Sequence, residues 1–360
     1  MNRFDRHIVF RLLSGFAALI AALIVFFIVL HYVEFIDDFL DRGATMREVF
    51  LVYYPNYIPE IARLTAPLAL FLSCVYLTGR LSQSLQLSTL QTSGVSLYRL
   101  LVPYLATGIA VTACMFWFNG WVVPETNRTV LEFELRFLKD APRVIETNNI
   151  HRQHSPGSYI SVGYYDRRNE TAHRISLQHF NEANRLVQRI DGVRMSWIDS
   201  LSIWQIHQPV VRTFSKDVET RQVLTRIDTT LTILPRDLAR TERDVESMTI
   251  PDAARYIRDI ERSGAGGLGR TQVGYYAKFA WPFANLILVL IGMPLAATRR
   301  QGGQAMQIGI GLFVAFLYLT VQKITEPLGY TGVLPPSVAV WLPHALFLAA
   351  AIFLLVRVRK

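Results

Sequence analysis

Three basic residues beside long apolar segments are the side chains of this sequence best suited to binding chemistry. Arg63, Lys278 and Lys323 fall near the ends of three apolar segments, at one membrane depth if the segments cross a bilayer. Such groups suit the phosphates of a lipid head group. Alternatively, each side chain only reaches toward the membrane surface for solvation. Glu34, which begins an acidic run after another apolar segment, is the fourth candidate residue of this binding site. Alternatively, the run is a solvated surface that pairs in part with these bases.

A second candidate site is a nearly uncharged stretch between the second and third apolar segments. Leucines punctuate a run of Ser, Gln and Thr that ends at Gly94; they are Leu81, Leu85, Leu87 and Leu90. This spacing predicts a short amphipathic helix over residues 81–93. The helix could lay its apolar face in a groove of a soluble ATPase, or it could be an interfacial linker. The pattern leaves both interpretations open.

Motifs for enzymatic chemistry are absent from the sequence. It contains no phosphate-binding Walker loop, no His-Glu-x-x-His, no Gly-x-Ser-x-Gly and no Cys-x-x-Cys. Cys74 and Cys114 both fall inside apolar segments, and their spacing does not suit a metal cluster. We therefore expect no catalytic residue, no metal site and no cofactor, and we expect a partner to supply the energy for any work.

Six apolar segments must position these residues. They cover residues 10–30, 64–79, 101–123, 276–297, 306–324 and 338–356. Each is near the ~20 residues that a helix needs to cross a bilayer. A core helix of a soluble protein has no reason to be apolar on every face. The sequence therefore predicts an α-helical membrane protein with six transmembrane helices.

Basic residues in the short loops orient the chain. If the segments alternate in direction, these basic residues all lie on one side of the membrane. They are Arg3, Arg6, Arg11, Arg80, Arg99, Arg299, Arg300, Arg357, Arg359 and Lys360. Positive loops stay in the cytoplasm, so we expect both termini to be cytoplasmic and the large polar insert to lie outside. The net charge of +9 does not indicate a nucleic-acid partner, because the predicted cytoplasmic side carries no basic domain.

The polar insert alternates apolar and polar residues, which is typical of half-buried strands. Predicted strands include 186–190, 193–198 and 223–227, with turns at Ser155-Pro-Gly and Asp191-Gly. Their number and spacing favour a β-sandwich or jelly roll. Helices are predicted at 125–139 and from a capping box at Thr249, before a Gly-rich hinge at 263–269. The expected divisions are therefore 1–124, a β domain at 125–248, and 249–360.

Several motifs, spread in order over nearly the whole chain, carry a resemblance to a known family. They are Pro67-Leu68, Gln91-Thr-Ser-Gly94, Trp121-Val-Val-Pro124, Lys278-Phe-Ala-Trp-Pro-Phe, Gly292-Met-Pro-Leu-Ala, Arg299-Arg-Gln-Gly-Gly303, Leu334-Pro-Pro and Trp341-Leu-Pro. Together they resemble the lipopolysaccharide-export permease family LptF/LptG. The spacing of the C-terminal prolines is closer to the LptG type.

The resemblance implies a non-catalytic transmembrane subunit of an ABC transporter in the bacterial inner membrane, with an inserted periplasmic β-jellyroll domain. Implied partners are a cytoplasmic LptB-like ATPase dimer, a second LptF/LptG-like permease chain, a periplasmic LptC/LptA-like jellyroll protein and lipopolysaccharide. The first and fifth segments would form a lateral gate, with Lys323 helping to hold phosphate. The stretch from Leu81 to Gly94 would be the coupling helix.

Two positions depart from the family pattern. Gln86 stands where the coupling helix usually carries Glu, and Glu34 and Asp41 stand where relatives place bases that help to bind lipid phosphates. Two other functions therefore remain open. One is ABC-type export of another envelope lipid or of a lipoprotein, and the other is a membrane scaffold that regulates a cell-wall enzyme.

Overall fold

The computed structural model describes residues 3–138, 148–166, 169–199, 201–215, 218–231, 233, 235–238, 244–262, 268–297 and 303–357. Contacts divide the chain into two compact units. The helical unit comprises residues 1–141, 245–251 and 269–360, and the strand-bearing unit comprises 142–244 and 252–268. The strand-bearing unit therefore begins later than residue 125, because the helix predicted there belongs to the helical unit.

The helices of the described residues are numbered in chain order. They are α1 (Arg3–Asp41), α2 (Met46–Glu48), α3 (Tyr54–Gln83), α4 (Gln86–Thr92), α5 (Leu97–Trp117), α6 (Val123–Phe137), α7 (Pro235–Leu238), α8 (Ile250–Arg262), α9 (Gly269–Ala280), α10 (Phe283–Ala297), α11 (Gly303–Tyr330) and α12 (Pro336–Arg357). Single π-helical turns, Val49–Tyr53 and Phe118–Val122, join α2 to α3 and α5 to α6.

Five continuous helices are long and apolar enough to cross a membrane. They are Arg3–Asp41, Met46–Gln83, Leu97–Phe137, Gly303–Tyr330 and Pro336–Arg357. The pair α9 and α10, bent by 52°, passes the same test as a pair and makes a sixth when it is counted as one broken span. Pro282 lies at the bend and lacks the backbone N–H that a continuous helix would need there. The predicted multi-pass membrane protein is confirmed, with one span broken.

Small residues set the distances between the membrane helices, as is usual where lipid replaces water. A Cβ on Gly292 of α10 would lie 3.0 Å from two ring carbons of Phe71 in α3. A Cβ on Gly15 of α1 would run into Ser73 Oγ, which instead donates a hydrogen bond to the Leu12 carbonyl at 2.9 Å. α3 thus packs closely against both α1 and α10.

The strand-bearing unit contains one antiparallel sheet. Its strands are β1 (Asn148–Ser155), β2 (Ser158–Asp166), β3 (Thr171–Phe180), β4 (Leu186–Ile198), β5 (Ile203–His207), β6 (Val210–Ser215), β7 (Val218–Val223) and β8 (Arg226–Thr229). Strands β1 to β5 pair in sequence, β5 pairs with β8, and β6 pairs with β4 and β7. The predicted combination of membrane helices and an inserted all-β domain is confirmed.

The sheet branches at β4, whose length was not predicted. Residues 188–191 of β4 pair with β6, and residues 194–198 pair with β5. The predicted turn at Asp191-Gly192 is wrong, because Gly192 lies inside this strand. A side chain there would come within 2.5 Å of Ile206 Cγ2, so the glycine permits close packing rather than a turn. The predicted strand 223–227 is also wrong, since it spans the junction of β7 and β8.

One apolar core holds the sheet together. Its buried members include Ile160, Ile175, Met195 and Ile206, with Trp204 at the centre. The Trp204 indole Nε1–H donates to the Ile233 carbonyl at 2.7 Å, which ties the segment after β8 onto this core. The indole therefore fills apolar volume and satisfies its polar group at once.

Replacing Gly192 by Val should loosen the middle of this sheet. The added methyl groups would meet the Ile206 and Ile175 side chains, and overpacking of this kind costs about 1–3 kcal/mol. Amide hydrogen exchange of β4 and β5 in the intact chain should accelerate accordingly. Val193→Ile adds one methylene at the exposed neighbouring position and is the control. Equal protection in both variants would contradict the packing role of Gly192.

Candidate functional site

The predicted bases of the helical unit meet at one pocket. Arg63 of α3, Lys278 of α9 and Lys323 of α11 line a cavity of about 150 Å³. Three carboxylates, Glu60, Glu246 and Glu326, share the lining. We call this cavity the charged pocket. Its formal charges balance, so each base has a competing internal anion.

Glu60 and Arg63 form the most buried pair of the charged pocket. They lie three residues apart on α3 and therefore share one face of the helix. Arg63 Nε donates to Glu60 Oε2 at 2.9 Å, and Arg63 Nη2 makes a second bond to Glu60 Oε1. The Asn127 amide donates to Glu60 Oε2 at 3.1 Å, and the guanidinium carbon lies 5.2 Å from the Trp281 ring centroid. Arg63 is thus held in place on two sides.

Lys278 lies two residues before the end of α9, close to the bend of the broken span. Only 5% of the residue is exposed. The Asn119 side chain, from the π-helical turn after α5, donates to the Lys278 carbonyl at 2.9 Å. Glu60 and Glu246 supply the attractive charges around its ammonium, and Arg63 supplies a repulsive one. The position of Lys278 depends on two other membrane segments.

Lys323 is the accessible base of the charged pocket. Its Nζ lies 3.2 Å from Glu326 Oε2, but 71% of the Lys323 side chain is exposed, against 13% for Glu326. The Gln322 amide also donates to Glu326, at 3.3 Å. The ammonium end of this pair is exposed, so the pair constrains Lys323 less than a fully buried pair would. Lys323 can therefore exchange its carboxylate for another anion at low cost.

The carboxylates are the members of this site that the sequence analysis did not identify. The spacings Glu60-x-x-Arg63 and Lys323-x-x-Glu326 were the available signal, because residues three apart face each other on a helix. Nothing local indicated Glu246, which joins the lining from the short 3₁₀ helix Asp244–Ser247. Glu34 is exposed on α1 and is not among the described lining residues.

The predicted coupling segment is two helices rather than one. α3 ends at Gln83, Leu85 adopts a left-handed conformation with φ of 59°, and α4 begins at Gln86. Gly94 follows α4 with φ of 83°, and the Val95 N–H donates to the Leu90 carbonyl at 3.0 Å. The stretch therefore forms a compact helix-break-helix with a glycine stop.

The apolar side of this stretch already has a partner within the chain. Leu87 is 4% exposed and, like Leu81, belongs to the core between the helices, and Leu90 packs against that core. Leu81 and Leu87 are therefore buried within the chain itself, and the coupling role of this apolar face stays a prediction. Among the predicted coupling residues, Leu85 is 48% exposed, and Gln86 and Gly94 are exposed too, so another protein can reach these three.

Within the described residues, no group of three or more His, Cys, Asp or Glu side chains could hold a metal ion. The predicted basic residues Arg299, Arg300, Arg359 and Lys360, and most of the predicted hinge at 263–269, lie outside the described residues.

Replacing Glu60 by Gln should destabilise the helical unit strongly. The change leaves the guanidinium of Arg63 buried without its counter-charge, and breaking a buried pair costs about 3–5 kcal/mol. Lys323→Gln is the control from the same pocket and should cost less, because it removes an exposed ammonium and leaves Glu326 with the Gln322 hydrogen bond. Thermal unfolding of the purified chain in detergent measures both. Equal midpoints for the two variants would contradict the assigned difference in burial.

Comparison with known proteins assigns this chain to a family. The model of the family described as "Lipopolysaccharide export system permease LptF/LptG" matches residues 6–357. The Lipopolysaccharide export system permease protein LptG of Escherichia coli strain K12 is 19% identical over 329 residues, which is 90% of this chain and 91% of the relative. The LptG protein of Haemophilus influenzae strain Rd is 20% identical over 367 residues, covering 100% and 99% of the two chains. The chain with the charged pocket thus belongs to the LptF/LptG family of lipopolysaccharide export system permeases.

Proposed function

We propose that this chain extracts lipopolysaccharide from the inner membrane and passes it through its β domain toward the outer membrane. Its termini would be cytoplasmic and its β domain periplasmic, as the basic loop residues favour. The observation that carries the proposal is the charged pocket, because it joins three bases from different membrane helices in a member of this permease family. The energy would come from a partner, since the chain contains no nucleotide-binding motif.

Lys323 is the residue that we expect to meet substrate phosphate first. It is exposed, and its pair with Glu326 is weak enough to exchange. Arg63 and Lys278 lie deeper and keep their carboxylates. They would attract the phosphate and fix the helices behind Lys323. α1 and α11 would act as the lateral gate, with Glu34 at the α1 edge, where its charge repels phosphate.

The acyl chains of the substrate would bind to apolar surface on the gate helices. Phe26 and Val29 of α1 and Phe313 and Phe316 of α11 are exposed. Each methylene that leaves water contributes about 0.8 kcal/mol. The apolar surface would therefore hold the lipid, and the charged pocket would orient its phosphorylated end.

Energy would enter at the α3–α4 junction. We propose that an LptB-like ATPase dimer contacts Leu85 and Gln86, and that the buried Leu81 and Leu87 pass the motion to the helix core. A second LptF/LptG-like chain would complete the transport cavity, and an LptC/LptA-like periplasmic protein would receive the lipid. Such a mechanism moves rigid helices and makes no covalent bond in this chain.

Reversal of Lys323 to Glu should lower lipopolysaccharide export in cells that depend on this chain. A charge-assisted bond to phosphate contributes about 1.5–3 kcal/mol, so binding should fall about tenfold to hundredfold. Surface lipopolysaccharide after depletion of the wild-type chain is the measurement. Arg128→Glu, on an exposed position of α6 outside the charged pocket, is the matched charge reversal.

Lys323→Arg should keep export, because it keeps the positive charge. Normal export by Lys323→Glu would contradict phosphate binding by Lys323 and would show that its side chain only reaches the membrane surface for solvation. Normal surface lipopolysaccharide after full depletion of the chain would instead contradict the proposed substrate. Lipid analysis of both membranes would then identify any other envelope lipid that accumulates.

Leu85→Asp should weaken copurification of the ATPase without unfolding the chain. The side chain is half exposed at the break before α4, so a carboxylate there disturbs a partner rather than the core. Leu87→Ala, two positions on, removes buried volume and should cost about 2–5 kcal/mol of stability. Full ATPase recovery with Leu85→Asp would show that this junction is only an interfacial linker.

A further inference from the structure

A second, larger cavity lies at the other end of the same helices. It has a volume of about 710 Å³ and is bounded by α1, α3, the start of α4 and Ile308 of α11. Residues from the α3–α4 junction, Ser84 and Gln86, line it. We call it the junction cavity. All of its lining belongs to the helical unit.

One end of the junction cavity is basic. His7 and Arg11, near the start of α1, and Arg80, in the last turn of α3, line it with exposed side chains. No carboxylate is present among the described lining residues, in contrast to the charged pocket. Asp5, the acidic residue of the first turn of α1, is held by Arg99 through bonds of 3.0 and 2.7 Å. The basic end therefore has no internal counter-charge in its lining.

The other end of the junction cavity is apolar and firmly built. Ala18, Leu19 and Leu72 line it. Gly15 and Ser73 lie in the same lining, where the missing Cβ and the Ser73–Leu12 hydrogen bond keep α1 against α3. The two helices thus pack closely at this level, and the cavity has one cationic and one apolar end.

We propose that the junction cavity binds an anionic glycerophospholipid. Its phosphate would lie between Arg11 and Arg80, and the first part of one acyl chain would run past Ala18 and Leu72. Charge complementarity at one end and apolar lining at the other select this occupant over a soluble phosphate or an uncharged lipid. Because Gln86 shares the lining, the bound lipid would touch the junction at which α3 ends and α4 begins.

Lipid titration of the purified full-length chain, with whatever partners copurify, tests the proposal. Retained phosphatidylglycerol is counted by native mass spectrometry for the wild type and for the double variant Arg11→Gln/Arg80→Gln. Each basic residue near a membrane surface contributes about 1 kcal/mol to binding of anionic lipid, so the double variant should bind about 30-fold more weakly. Arg6→Gln, exposed at the same end of α1 but outside the lining, is the matched control.

Ala18→Trp gives an independent reading, because it fills the apolar end and leaves every charge in place. It should also reduce retention, and thermal unfolding verifies that each variant is folded. Equal losses in Arg6→Gln and the double variant would overturn the proposal, since the attraction would then belong to the whole basic surface. Equal retention of phosphatidylcholine would overturn it as well. So would a cavity closed by a second protein chain in the assembled complex.

Discussion

A charge inside an apolar helix bundle must either reach water or meet an opposite charge, and this constraint organises the helical unit. Arg63 is paired with Glu60, and Lys278 lies among carboxylates, whereas Lys323 keeps most of its side chain exposed. Desolvating an isolated ion costs far more than a typical packing contact supplies. The charged pocket is therefore the place where opposite charges bring α3, α9 and α11 together. The same neutrality gives Arg63 and Lys278 counter-charges inside the pocket, whereas Lys323 is its accessible base.

The two cavities of the helical unit differ in electrostatics as well as in size, at about 150 and about 710 Å³. Both lie between membrane helices, and both include α3 and α11. The charged pocket balances its bases internally, whereas the junction cavity presents Arg11 and Arg80 to an apolar cleft without a carboxylate among its described lining. α3 thus contributes to one cavity whose charges balance internally and to another whose described charged lining is only basic.

The sequence predicted what composition and period alone determine. Six apolar segments predicted the membrane helices, and alternation of apolar and polar residues predicted the β domain. A helix surrounded by lipid is apolar on every face, whereas a half-buried strand is apolar at every second residue. It misread Gly192, whose reason is the Ile206 side chain of the adjacent strand rather than a turn. It also missed Glu246, which reaches the charged pocket only through tertiary packing. Leu87 shows the same limit: an apolar face is visible in sequence, but whether it packs on its own chain is not.

The bend of 52° between α9 and α10 gives the fourth span the form of two helices joined by a hinge. On the C-terminal side of this hinge, α10 packs closely against α3 through the contact of Gly292 with Phe71. On the N-terminal side, α9 carries Lys278. Its helical hydrogen bonds do not continue into α10, because Pro282 has no backbone N–H to donate. A small pivot at Pro282 would swing the Lys278 ammonium relative to Arg63 while α10 stayed still. A motion of this kind would change the distances between the charged groups of the pocket without repacking the membrane core.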